Sequence, residues 1–521
     1  MISGTGTIAK NLINESGIVM PGSAGQVGTL NVGEKYTQNK NGNLYINFND
    51  KSNSDIIATN YDIQGGNLVY IPLSGQFFQN GQEIAIKFDK LENDNNLDKF
   101  DIINVQDTST LDFELKDKND KKTIIVSIKE NAYEPTNGTQ DASKVISQAL
   151  KQIREMPNLS KNYQDFFGRL DTTSQDEKQE ILSSTNPDYA LSNTKDTLNF
   201  QNRSMLNNMS FLVGNSMSSS AKIAAIAKNS QLVLINSDMT DHIVYDILQS
   251  YGVALSQSEI SSKVSYSHFK GDTYKTDTYS VDLSAKKWVS DDVKLGAFLN
   301  YSHQKGDYKF ADVTSQIVSV GLIGLKDFEF INLIGGVDAG VAFNDMKRQI
   351  SASNTELNAD YKGYFISTEL GISKDFVIND SFTLTPISIL NYIYSKQNGF
   401  EESGNILAKG YQDINLDTLN LSMGANLAYN FTSQNNTFTT INGFAFYTRR
   451  LNDDNFASKE YFIDARDKIW GQSYKLNKDS VYFGIDTNIE KGNKFIKFLI
   501  SSEIAKNEHS VNAAITAGLK F

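Results

Sequence analysis

Apolar and polar residues alternate through the second half of the chain. Val511, Ala513, Ile515, Ala517, Leu519 and Phe521 share one face, against Ser510, Asn512, Ala514, Thr516, Gly518 and Lys520 on the other. Leu419, Leu421, Met423, Ala425, Leu427 and Tyr429 repeat the pattern. So do Val293–Tyr301, Val481–Ile489 and Tyr279–Ala285. A period of two marks strands with one apolar face. Twelve strands are predicted, starting near Ser261, Thr276, Asp292, Asp312, Phe328, Asp360, Ser381, Asp413, Thr437, Ser480, Asn493 and Ser510. The strands from Ser381 and Thr437 alternate least clearly. Several runs approach the ~9–11 residues that cross a bilayer at a tilt. Connections at Ser290-Asp291, Lys326-Asp327 and Lys491-Gly492 are short; those around Phe310 and at Asn344–Asn358, Lys396–Gln412 and Leu451–Lys478 are long. An even strand count, with short turns at one rim and long loops at the other, predicts a closed transmembrane barrel. The competing reading is a water-soluble all-β domain.

The first half divides in two. Residues 1 to about 132 are turn-rich, with strands expected at Asn43–Asn49, Asn67–Ile71, Glu83–Phe88, Asp101–Val105, Thr110–Leu115 and Thr123–Ile128. Short strands at close spacing suit a sandwich or a β-solenoid, and no strict repeat decides between them. From about 140 the period lengthens. Val145, Ile146, Ala149, Leu150 and Ile153 form a helical stripe that stops before Pro157. A second helix follows Ser174, and Asn186-Pro187 opens a further helical segment. The expected units are therefore 1–132, a helical connector at 133–255, and a barrel at 256–521.

Composition removes other classes. No run of ~18 apolar residues exists, so no membrane-spanning helix is expected. The chain has no Cys, which excludes disulfides and thiolate chemistry. A net charge of −12 argues against a nucleic-acid partner. Near the N-terminus, a single Lys at position 10 and no apolar run of ~7–15 residues give no signal peptide in this chain.

Three segments resemble the C-terminal part of an autotransporter, a type V secretion protein. Gly25–Gly33, Tyr36, Leu44–Phe48, Asp55–Asn60, Gly66 and Leu68–Ile71 resemble the last coils of a β-helical passenger. Gly81–Phe88, Phe100–Val105, Leu111–Leu115 and Ile124–Ile128 resemble its capping region. The final alternating strand, ending Leu519-Lys520-Phe521, resembles an outer-membrane barrel-assembly signal carried by Val511, Ala513, Ile515, Ala517, Leu519 and Phe521. The resemblance implies a mainly β chain: a 12-stranded antiparallel transmembrane β-barrel, an N-terminal β-solenoid fragment and a helical connector that enters the pore. It implies export or surface display of the N-terminal part from the outer membrane. The implied partners are outer-membrane lipid, the barrel-assembly machinery and periplasmic chaperones, and the chain is expected to be a monomer without cofactor. Two alternatives stay open: a surface adhesin or pore that binds host surface molecules, and a fragment of an interrupted reading frame, since the family carries a signal peptide and usually a longer β-helix.

Candidate chemistry is sparse. His242, His268, His303 and His509 all follow residue 241, so residues 1–132 cannot assemble a Ser-His-Asp triad, and no i, i+4 His pair suggests a metal site. No enzyme activity is expected. The pore-threading segment is placed between about Thr197 and Ala227, where Gln201, Asn202, Arg203, Asn207, Asn208 and Asn215 could face the wall. Asn207-Asn208 is also a candidate self-cleavage pair by analogy with some autotransporters, although no acid lies close to it in sequence. Tyr266, Phe269, Tyr308, Phe310, Tyr392, Tyr394, Tyr447 and Phe495 suit interfacial girdles, or packing against loops and a plug.

Overall fold

The computed structural model describes the chain except residues 118, 137–138, 188, 198, 200–257, 272–273, 291, 329, 352, 354, 380, 434–436 and 453–454. Twelve antiparallel strands close on themselves: β1 (Ser258–Lys270), β2 (Tyr274–Ser290), β3 (Val293–Tyr308), β4 (Ala311–Asp327), β5 (Asn332–Gln349), β6 (Glu356–Ser373), β7 (Phe382–Gln397), β8 (Ile414–Thr432), β9 (Phe438–Arg450), β10 (Asp479–Lys491), β11 (Lys494–Ala505) and β12 (Glu508–Lys520). Each pairs with its sequence neighbour, and β12 returns to β1 from Glu259↔Lys520 to Lys270↔His509. Mutual backbone bonds between Ser258 and Phe521, both 2.9 Å, finish the seam. Closure leaves no unpaired strand edge facing outward, which an open sheet could not achieve in lipid.

The alternation is resolved as the pattern demands. Leu299, Val320, Leu370, Ile500 and Ile515 stand on the outside, and Val320 is 58% exposed. Asp282, Asn300, Ser302, Ser319, Ser367, Asn391 and Ser422 line a polar interior and are buried. So extensive an apolar exterior over a polar lumen is the reverse of a water-soluble barrel. Ser381–Lys396 and Thr437–Arg450 fall on β7 and β9 despite their weaker alternation.

One rim carries the connections 271–273, 309–310, 350–355, 398–413, 451–478 and 506–507; the other carries the starts of β1 and the end of the chain. Two loop expectations need correction. The connection at Phe310 is a two-residue turn with Phe310 at φ +75°, and the one expected at Asn344–Asn358 shrinks to 350–355 because β5 and β6 extend far into it. Strand length there is set by cross-strand pairing, which single-strand alternation does not report.

Residues 2–72 form parallel ladders. In one sheet Val19 pairs with Leu44 and Leu44 with Leu68; in another Leu30 pairs with Ile56. Paired residues stand about 24 to 26 positions apart in most rungs but 17 apart at Ile2↔Val19, and this variation hides any strict repeat. Leu44, Ile46, Phe48, Leu68 and Tyr70 are fully buried between the ladders. Strands at Ile2–Gly4, Gly6–Ile8, Leu12–Asn14 and Ile18–Pro21 escaped the pattern reading because they are only three or four residues long. Ile102–Val105 extends the first ladder, while Glu83–Ala85, Leu111–Leu115 and Thr123–Ile128 form an antiparallel sheet.

Asp55 is buried in this unit, accepting a bond from the Asp89 N–H at 2.9 Å. Burial pushes its carboxyl up to about 6. The folded state therefore holds the proton more tightly than the unfolded chain, so this group favours folding at low pH and loses that contribution as pH rises through about 6. Protease resistance of residues 1–132 in the full chain is expected to be greater at pH 5 than at pH 7.5. Asp55→Asn is expected to flatten that dependence; an unchanged profile would contradict the assignment.

Three helices follow: α1 (Gln140–Arg154), α2 (Lys161–Thr172) and α3 (Gln175–Thr185). Thr139, Ser160 and Ser174 cap them, each side chain accepting a first-turn N–H. The sequence reading left α2 unassigned, although Tyr163, Phe166, Phe167 and Leu170 form its buried stripe.

Candidate functional site: the filled mouth of the barrel

A fourth helix, α4 (residues 189–197), lies inside the barrel at the long-loop rim. All nine residues are buried. Its sequence, Tyr-Ala-Leu-Ser-Asn-Thr-Lys-Asp-Thr, is too polar for a protein core but matches a polar lumen. The wall answers four successive polar side chains, Asn193 to Asp196. Asn193 Nδ2 lies 3.3 Å from Asn344 Oδ1 on β5 and 3.2 Å from Tyr361 Oη on β6. The Thr194 hydroxyl donates to Gln397 on β7 at 2.7 Å. Lys195 donates to Tyr474 Oη at 2.9 Å and pairs with Glu508 on β12. Asp196 accepts from the Thr276 hydroxyl on β2 at 2.7 Å and from Tyr308 Oη on β3 at 3.0 Å. The helix is thus tied to strands all around the circumference.

Above α4 the chain is pinned by two buried ionic groups. Arg348, near the end of β5, pairs with Glu402 through Nε at 2.9 Å and Nη2 at 2.5 Å. It also donates to the Ser184 carbonyl at 3.1 Å, neutralising the negative end of α3. Burial alone would raise the Glu402 carboxyl, but the Arg348 charge and hydrogen bonds, helped by Lys409, hold it below the usual carboxylate range. Lys409 pairs with Glu460 at 2.7 Å. The side-chain carbonyl of Asn186 accepts from Gln472 at 2.7 Å and from the Trp470 indole at 3.2 Å. Asn186-Pro187 is therefore where the chain turns from α3 into the pore. The sequence marked that dipeptide as a segment start; it did not show Arg348, Glu402, Lys409 and Glu460, which come together from separate loops and strands.

The long loops are ordered structure. Phe400–Glu401, Lys409–Tyr411, Asn455–Phe462 and Trp470–Lys475 make a four-stranded antiparallel sheet over the mouth. Residues 189–197 lie among the barrel strands just before the segment, Thr197 to Ala227, that the sequence reading places in the pore, and nearly all of that segment lies outside the described residues. Asn193, Thr194, Lys195 and Asp196 were missed as wall contacts; their signal was a polar run placed directly after a helix end at Asn-Pro. Gln201, Asn202, Arg203, Asn207, Asn208 and Asn215, including the candidate self-cleavage pair, lie outside the described residues. The six terminal-strand residues Val511, Ala513, Ile515, Ala517, Leu519 and Phe521 all face outward on or just after β12. Of the aromatic group, Tyr266, Tyr392, Tyr394 and Tyr447 face outward, whereas Phe269, Tyr308 and Phe495 turn inward and are buried.

Comparison with known proteins bears on the barrel first. Residues 260–496 match the family model described as the autotransporter beta-domain. The chain is 27% identical over 256 residues to outer membrane protein A of Rickettsia rickettsii, covering 44% of this chain. It spans only 11% of that relative's length. Among solved structures, the translocator domain of the autotransporter NalP from Neisseria meningitidis aligns with a TM-score of 0.45 at 15% identity, over 58% of this chain and 99% of that one. The transport unit of the autotransporter AIDA-I from Escherichia coli aligns with a TM-score of 0.36 at 12% identity, over 58% of this chain and 98% of that one.

Proposed function

We propose, from the match of residues 260–496 to the autotransporter beta-domain model, that this chain is an outer-membrane translocator that exports its N-terminal part and displays it at the cell surface. One observation carries the reading. The chain lies within the lumen at one rim as α4, yet the first barrel strand begins with Ser258 at the opposite rim. Helix α4 and the start of β1, the described stretches on either side of residues 200–257, therefore lie at opposite rims. Residues 1–132 are then the displayed unit, 133–255 the connector and 256–521 the membrane part. Acyl chains meet the apolar exterior, and the long-loop rim faces outside the cell. The assembly machinery and periplasmic chaperones are its partners, and it acts as a secretion scaffold rather than an enzyme.

The test is made on intact cells producing the full chain. Added protease is expected to reach residues 1–132, and the barrel is expected in the outer-membrane fraction with heat-dependent mobility on gels. An inaccessible N-terminal part in cells that hold a folded barrel would overturn the export reading.

The terminal aromatic gives a second measurement. The Phe521 backbone bonds that of Ser258 in both directions across the closing seam, and the residue is 65% exposed. Phe521→Ala keeps those backbone bonds but removes the outward aromatic side chain of the proposed assembly signal, and is expected to lower the heat-modifiable fraction several-fold. A parental yield would remove this residue from the proposed assembly signal.

A further inference from the structure

The outward face of four adjacent strands, β12, β1, β2 and β3, changes character row by row as it nears the long-loop rim. Strand pairing sets Ile515, Val264, Val281 and Tyr301 side by side at mid-height. The second row toward the rim is Ala513, Tyr266, Tyr279 and His303, with the two tyrosine rings 5.1 Å apart. Val511, His268, Asp277 and Lys305 form the third, and His509, Lys270, Lys275 and Asp307 the fourth. Neighbours within a row face each other directly across the strands, with Cβ atoms ~4.5–5.5 Å apart. Lys270, Lys275, Lys305 and His509 are exposed.

Three lysines and all three histidines among the described residues meet in this patch. Its two carboxylates are engaged within it. Asp277 accepts from Tyr266 Oη at 2.6 Å and lies 2.8 Å from His268 Nδ1, and Lys275 pairs with Asp307 at 2.9 Å. Among the described residues Lys270 and Lys305 form no ion pair. The rest of the rim has the opposite balance. On β4–β10 the outward Asp312, Asp345, Glu356, Asp360, Asp417 and Asp479 outnumber Lys347, Lys362, Lys396 and Arg449. Asp345 even stands directly opposite Asp360. The positive corner is therefore confined to the strands on either side of the closing seam.

We infer that this corner binds a phosphorylated glycolipid of the outer leaflet, with Lys270, Lys275 and Lys305 holding its phosphates. The inference rests on the reading that turns the long-loop rim outside the cell. Acyl chains lie along the apolar row, and the tyrosine pair marks the level at which they give way to headgroups. The lysines stand one and two rows above that level, where their ammonium groups meet anionic headgroups. The imidazoles of His303 and His509 add N–H donors beside them. A free anion gains only the charge, whereas a lipid also keeps its acyl contact with the strands below. Two strand spacings of ~4.8 Å separate β1 from β3, so Lys270 and Lys305 stand about 10 Å apart across the sheet. One phosphate does not span that distance; a disaccharide headgroup with a phosphate at each end does.

The test uses the full chain folded in detergent micelles, with bisphosphorylated lipid A as the probe and native mass spectrometry as the readout. The parent is expected to retain the lipid. Lys270→Gln, Lys275→Gln and Lys305→Gln together are expected to lower the bound fraction at least fivefold. A charge-matched control, Lys347→Gln with Lys362→Gln and Lys396→Gln, is expected to bind as the parent does. Parental retention by the first triple variant, or equal losses in the two sets, would overturn the patch. Dephosphorylated lipid A and phosphatidylglycerol are expected to be held poorly by the parent; retention of either at the level of the probe rejects a phosphorylated glycolipid as the occupant. Heat-modifiable migration reports the fold of each variant. Should the first triple variant not fold, Lys270→Gln alone is measured, with at least a twofold loss supporting the patch and no loss rejecting it. Binding in micelles does not depend on which way the barrel faces in a cell. Its failure strikes the patch alone, and failure of the protease test on intact cells strikes the export reading alone.

Discussion

Arg348→Met is expected to unseat the filled mouth and raise ion conductance through the barrel in planar bilayers. The substitution leaves Glu402 buried without the charge that holds it ionised. Breaking a buried pair from one side costs ~3–5 kcal/mol, because the remaining charge is uncompensated. It also withdraws the donor from the last turn of α3. The loss falls on the link between α3, the loop sheet and the entry of α4, and the barrel ladder keeps all its backbone bonds. Heat-modifiable migration should therefore survive while the mouth loosens. Arg348→Met combined with Glu402→Gln is expected to recover part of the closure, since no unpaired charge remains. Quiet bilayers with Arg348→Met would show that this pair does not hold the plug.

Leu299→Arg is expected to block stable insertion. Leu299 pairs with Val320 midway along β3 and β4, and both side chains point outward. An arginine on the lipid face near the bilayer midplane costs ~2–4 kcal/mol. Val320→Arg should behave in the same way. Ser265→Arg, on the inward face of β1 beside Ser280, is expected to insert normally because the lumen is hydrated and polar. The readout is the heat-modifiable band in outer-membrane fractions. Equal yields for Leu299→Arg and Ser265→Arg would mean that the apolar exterior does not meet lipid.

The reach of these two substitutions differs for a physical reason that also separates what the sequence disclosed from what it withheld. Leu299 was identifiable as outward-facing from its own strand, because alternation is a local property and each strand carries it independently. The same holds for the six residues of the last strand. Arg348 and Glu402 carried no such mark. A buried ion pair between the end of β5 and a loop 54 residues later is created by closure of the barrel and by the loops folding over it. The aromatic group illustrates the boundary between the two cases. Tyr392 and Tyr394 follow the alternation of β7 and face outward; Tyr308 equally follows the alternation of β3 and faces inward, but its bond to Asp196 of a helix from elsewhere in the chain is not written in its strand.

The alternation of the last 260 or so residues by itself marked out twelve strands and their outward faces, and closure followed because in lipid every backbone group must be paired and only a closed ladder meets that condition. What fills the mouth was decided by tertiary structure alone. The placement of α4 from residue 189, the ordering of the loops into a sheet, and the core they share with α1–α3 all depend on residues distant in sequence meeting in one enclosed space. There, desolvation makes a polar run such as Asn193-Thr194-Lys195-Asp196 stable only where the surrounding wall supplies a partner to each of its four side chains.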